Sequence, residues 1–222
     1  MAFLQSGSAH QPIFRAPAVV LVLIALLAAV HAARTLLLDP AASSDLIVTY
    51  GFIPGRYAFA GSFRDLAIPF VSYMALHGDW AHVAINCLWL LAFGPVVTSR
   101  FGTPLFLLFF LVCGVAAALT HLALNWGGID PVIGASGAIS GLMAAGLRLL
   151  PGSFPWATPG EAPLAPIFSR QILTFTISWA VLNVVVGLAG AGVLGSEGAI
   201  AWQAHLGGYL AGLLLAGPFD EI

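Results

Sequence analysis

The chain has 222 residues, of which 60% are hydrophobic and only 7% charged, and its mean hydropathy is +1.00. That balance excludes an ordinary soluble domain and places the chain among integral membrane proteins. The basic residues are all arginine and the formal net charge is -2, so there is no basic field for nucleic acid, which is dropped as a partner.

The first predicted span, 16–36, follows a short polar N-terminus that contains His10 and Arg15. At 1.5 Å per residue it is long enough to cross a bilayer. A cleaved signal peptide is the competing reading, but its apolar core would be only about 7–15 residues long, so the run is kept as a helix. From Asp39 to Asp79 the sequence alternates breakers such as Pro40, Pro54 and Gly55 with Tyr50, Phe52, Tyr57 and Phe70. So long a connection carries short structure of its own, and its aromatics suit the membrane interface.

Span two covers 82–99, where Gly94-Pro95 is expected to end or kink the helix because proline lacks an amide and its ring clashes with the preceding turn. Span three covers 103–123. After a turn-rich connection comes span four, 136–150, short for a full crossing. The proline-rich stretch from Pro151 to Ser169 cannot stay helical. Span five, 171–190, leads through a Gly-rich loop at 189–198 to span six, 201–216, and the acidic pair Asp220-Glu221. The chain thus reads as an all-α membrane protein, one compact domain over 1–222 with six transmembrane helices. Arginine counts favour a cytoplasmic N-terminus, with Arg15, Arg100, Arg148 and Arg170 inside and Arg34, Arg56 and Arg64 outside. Cys87 and Cys113 lie in apolar runs without metal or redox spacing and read as small core residues. No repeat points to an inverted-repeat transporter.

Strict alternation makes spans two, four and six run the same way, so their N-terminal ends share one side of the membrane. At those ends lie His77, His82 and Asn86, then Ser136, then His205. Polar groups at that depth are costly and default to function. His31 and His121, near span ends without such company, read as interfacial. The stretch Gly134 to Gly141 can serve helix packing as well as chemistry, since Gly, Ala and Ser let backbones approach closely. Serine needs a base, and histidine is the usual one, so Ser136 with His205 makes a plausible two-residue unit. No span offers a third, acidic residue, which leaves His205 to be oriented by packing. Gly208 and Gly212 would press span six on span four and bring imidazole to hydroxyl. His82 and Asn86 are four apart on one helix face. With the backbone amide of Ser136 they could supply donors to an oxyanion. The G-x-S-x-G elbow of α/β hydrolases is excluded, because Gly134-Ala135-Ser136-Gly137-Ala138 has no strand before it.

Three motifs in this order resemble the rhomboid family of intramembrane serine proteases: His77-Gly78-Asp79-Trp80-Ala81-His82 through Asn86, Gly134-Ala135-Ser136-Gly137, and Ala204-His205-Leu206-Gly207-Gly208 through Gly212. The resemblance implies a rhomboid-like bundle with a short central helix four. It implies hydrolysis of peptide bonds in or beside transmembrane segments of protein substrates, with membrane lipid around the enzyme. In it Ser136 is the nucleophile and His205 the general base. His82, Asn86 and Ser136 serve the oxyanion, and His77, Gly134, Gly137, Gly208 and Gly212 give structural support. Span five and the loop after it act as gate and cap. No cofactor and no metal are implied. The small size suits a bacterial inner-membrane protein. Two positions depart from the family: Ser140, where many members carry an aromatic that stacks on the catalytic histidine, and Thr98, where a Glu is common. The alternative reading is a catalytically silent relative that binds or escorts membrane helices.

Overall fold

A computed structural model describes residues 16–59, 61–149, 163–189 and 201–222. The N-terminal fifteen residues, Leu150, most of the proline-rich connection and most of the Gly-rich loop before span six lie outside the described residues. Within them the chain is helical, without a strand. Helix α1 spans Ala18–Leu37. The long connection after it folds into α2 (Pro40–Tyr50), α3 (Phe63–Ala67), α4 (Pro69–Ser72) and two short 3-10 turns. Helix α5 spans Trp80–Leu124, α6 Ser136–Leu149, α7 Arg170–Ala189 and α8 Trp202–Asp220.

Local chemistry sets these boundaries. Asp39 caps α2 by accepting the amide of Ala42 at 2.9 Å, with Pro40 at the first helical position. Asp79 caps α5 in the same way, accepting the amide of His82 at 2.8 Å. The helix does not end at Gly94-Pro95: helical dihedrals continue past Pro95, and the break falls at Gly102, with φ 72° and ψ 168°. One missing amide is tolerated where neighbouring helices pack closely, and a Cβ on Gly94 would come within 2.9 Å of Val20 on α1. A left-handed residue admits no continuation of a right-handed helix, and glycine takes that φ at least cost. Gly102 therefore divides α5 into two limbs.

Side-chain contacts fix how the helices run. Val20 meets Gly94 at one end of α1, and His31 stands edge-on to Trp80 at the other, so α1 is antiparallel to the first limb of α5. Phe93 packs on Gly146, near the end of α6, while His82 lies beside Gly134, just before its start. First limb and α6 are thus parallel. On α6 and α8 the small residues interlock in register: a Cβ on Gly208 would overlap the carbonyl of Gly137, and one on Gly212 that of Gly141. A Cβ on Gly137 or Gly141 would in turn strike Ala117 or Cys113 of the second limb. Twelve of the fourteen residues of α6 are buried, so α6 is the element around which the others close. Helix α7 contributes one buried residue, Ile172.

Among the described residues three helices, α1, α5 and α7, are long and apolar enough to cross a membrane. The connection before α5 is tied down over the site end. Phe52 and Val132 exchange both backbone hydrogen bonds, at 3.0 and 2.8 Å, and the amide of Gly55 donates to Gly128 at 2.7 Å. Phe52, Tyr57, Phe70 and Tyr73 pack ring against ring beneath that bridge.

Candidate active site

The N-terminal ends of the first limb of α5, of α6 and of α8 meet. Ser136 opens α6 and His205 lies in the first turn of α8, and the His205 Nε2 to Ser136 Oγ distance is 2.7 Å. That contact depends on the glycine register just described, because any side chain at Gly208 would lift α8 off α6. Gly134 has φ 117° and its amide donates to the carbonyl of Tyr73 at 2.9 Å. A Cβ there would lie 2.7 Å from His82 Nε2, so glycine lets that imidazole reach the mouth of α6. Ser136 begins its helix, and the first amides of a helix have no partner within it.

His82 presents a defined face. The amide of Gly78 donates to its Nδ1 at 3.4 Å, which leaves the ring proton on Nε2, the atom turned toward Gly134. Asn86 lies one turn below and is buried; one amide hydrogen goes to the carbonyl of His82 at 2.9 Å, and its Oδ1 has no partner among the described residues. His77 is fully buried, edge-on to His82 with ring centroids 4.9 Å apart.

Several readings made from the sequence need correction. His31, read as interfacial and without company, has partners and is buried within the protein: it packs on Trp80 and contacts Arg34, itself buried, whose Nη2 donates to the carbonyls of His77 at 2.7 Å and Gly78 at 3.0 Å and whose Nη1 donates to Ser43 at 2.7 Å. Arg34 thus holds the turn that presents His77 and His82. His121 is likewise buried and contacts the Asn125 amide through Nδ1, because the start of α8 covers that end of the second limb, where Gly207 faces Thr120 and Gln203 donates to Asn125. His205 is not held by packing alone. Its Nδ1 lies 2.9 Å from Oδ1 of Asn183 on α7. The signal for Asn183 was present in the sequence, since an asparagine in the middle of an apolar span is costly unless partnered. Ser140, at the position of the missing aromatic, donates its hydroxyl to the carbonyl of Ser136 at 2.7 Å. Thr98 is buried and donates to the carbonyl of Gly94.

A family model described as the rhomboid domain matches residues 65–219, which includes every residue of this cluster. The chain belongs to the rhomboid family. It is an integral membrane protein, as the family and its long apolar helices require. A similar protein is the rhomboid protease GluP of Bacillus subtilis (strain 168), 26% identical over 174 residues. The likeness covers 78% of this chain but 29% of that relative, so the chain spans less than a third of the length of the protein it matches. Within this rhomboid domain, the first two turns of α5, the start of α6 and the start of α8 supply the polar side chains, and α7 supplies Asn183.

Proposed function

We propose that this rhomboid-family protein is an intramembrane serine endopeptidase that hydrolyses peptide bonds in or beside transmembrane segments of other membrane proteins. The observation that carries the reading is the 2.7 Å contact between Ser136 Oγ and His205 Nε2, within the range expected of a nucleophile and its base. The likeness to a protein named a rhomboid protease supports it. On this reading the Ser136 hydroxyl gives its proton to Nε2 of His205 as Oγ bonds to the scissile carbonyl carbon. The carbonyl oxygen becomes an oxyanion, met by His82 Nε2–H, the Ser136 amide and the second amide hydrogen of Asn86. The intermediate collapses when the imidazolium hands the proton to the departing amine. Water then gives a proton to His205 as its oxygen bonds to the acyl carbon, and the imidazolium returns a proton to Oγ of Ser136 as the acyl–Oγ bond breaks and the acid departs.

The remainder of the proposal concerns setting. The two limbs of α5, with α1, α6, α7 and α8, make six membrane helices, and α6 is the short fourth one. At fourteen residues it is about 21 Å long, less than the hydrocarbon thickness, so Ser136 lies below the surface and is sheltered by its neighbours. The membrane is a bacterial inner membrane with the N-terminus cytoplasmic. Ser136→Ala in liposomes carrying a single-span substrate is expected to lower cleavage by at least about 1000-fold while leaving the helical signal intact. A fluorophosphonate probe is expected to label Ser136 of the wild type. Cleavage by Ser136→Ala at the wild-type rate would overturn the proposal.

A further inference from the structure

Asn183 sits in the middle of α7, and both ends of its amide are engaged. Its Nδ2 donates to the carbonyl of Trp179 in its own helix at 3.1 Å. A carbonyl oxygen only accepts, so nitrogen must be the amide atom turned that way, and Oδ1 the atom turned to His205. Neither Oδ1 nor its lone pairs can donate. The proton in the 2.9 Å contact therefore belongs to Nδ1 of His205. A neutral imidazole carries one N–H, which leaves Nε2 bare and able to accept from the Ser136 hydroxyl. The opposite tautomer would aim an N–H at Ser136 and leave the serine without a base.

Resting on the peptidase reading above, we propose that Asn183 is a positioning residue that fixes the tautomer and ring plane of His205, making the site a Ser-His-Asn constellation. The helices concerned supply no competing partner for Nδ1 among the described residues. Ser140 has no ring to press on the imidazole, and its hydroxyl is committed to the Ser136 carbonyl. Asn183 reaches His205 from α7, which is seated on α8 by the stacked pair Trp179 and Tyr209, 4.3 Å between centroids, and by the bond between Thr176 and Tyr209 hydroxyls at 2.9 Å. The brace holds only while α7 is so seated.

The test uses the full chain in liposomes, with the rate of fluorophosphonate labelling at Ser136 read by mass spectrometry beside kcat and KM for a single-span substrate. Asn183→Leu fills similar space without an acceptor. It is expected to slow labelling and lower kcat by about 10- to 100-fold, a part of the roughly 100- to 10,000-fold that general acid–base catalysis contributes, with KM and melting temperature near those of the wild type. Asn183→Asp keeps an oxygen at the same reach and is expected to label near the wild-type rate. Labelling of Asn183→Leu at the wild-type rate, a loss confined to KM, or a folded Asn183→Asp as slow as Asn183→Leu would each overturn the proposal. Should the leucine variant fail to fold, the aspartate variant alone decides. Absence of Ser136 labelling in the wild type would overturn instead the peptidase reading on which the proposal rests.

Discussion

His77 is a buried base whose burial is offset only in part, by the backbone of Ala75. Neither ring nitrogen reaches a hydrogen-bond partner of good geometry among the described residues. Burial, followed by the neighbouring His82 and then His31 and Arg34, pushes its pKa down to about 3. In the unfolded chain it would titrate near 6.5. A depressed base takes up protons more readily when unfolded, so its contribution is complete above about pH 6.5 and is lost progressively toward pH 3. One pKa unit corresponds to about 1.4 kcal/mol, which gives a loss of about 2 kcal/mol at pH 5. The melting temperature in detergent is therefore expected to fall between pH 7 and pH 5, and the fall should be shallower in His77→Gln. An equal slope in both proteins would show that His77 does not carry the effect. The sequence assigned His77 a supporting role, but took Arg34 as a topological charge near the end of a span and His31 as interfacial. Span ends are read from hydropathy over a short window, whereas Arg34 finds its acceptors 43 and 44 residues further on.

Helices α6 and α8 interlock through glycines that leave no space, while α7 rests on α8 through a few side chains. Two substitutions should separate these roles. In Gly212→Val the new atoms meet the carbonyl of Gly141; backbone cannot yield as a side chain can, and overpacking of this kind costs about 1–3 kcal/mol. Gly187→Val instead meets the Trp202 ring, one turn beyond Asn183 on α7. Because α7 buries only Ile172, the expected result there is a small change in melting temperature but slower labelling of Ser136, as α7 lifts Asn183 from His205. Thermal melts and probe labelling should separate the two variants, with stability and labelling falling together in Gly212→Val and labelling falling alone in Gly187→Val; a stability loss at Gly187 as large as at Gly212 would refute the contrast. The Gly208 and Gly212 face was legible because small residues four apart are a pattern within one helix. The shared end of the polar residues was legible from alternation of direction. The boundary between spans two and three, at 100–102, was legible from hydropathy and contains Gly102; what misled was Pro95, the louder local signal, and only the observed φ identifies the residue that turns. Asn183 was passed over because a search for an acidic third residue does not count an amide.

The bundle keeps its chemistry and its strongest charge contact at opposite ends. Arg100, just before the Gly102 break, forms a two-pronged ion pair with Asp220 at the end of α8, with Nη2 donating to Oδ2 at 2.7 Å and Nε to Oδ1. Phe219 packs beside it on Phe101 and Phe109, and Arg148 donates to the carbonyls of Ala165 and Leu213 nearby. Composition alone made this a membrane protein, yet it read Arg100 as a topological charge and Asp220 as part of a tail. Their pairing joins positions 120 residues apart, and no pattern along a chain encodes such a partner. About 22 Å of helix separates Asp220 from His205. Charge at that distance, outside the site and near water, is screened, and α8 stays registered on α6 by its glycines whether or not the pair is present. Asp220→Asn removes the charge and retains the shape. It is expected to lower stability by about 1–2 kcal/mol, between the values for exposed and buried pairs, and to leave the rate of Ser136 labelling unchanged. Matched melting curves and labelling time courses check both halves. A labelling rate that falls with the melting temperature would mean that the far end of α8 sets the position of His205, and that the glycine seam does not isolate the site.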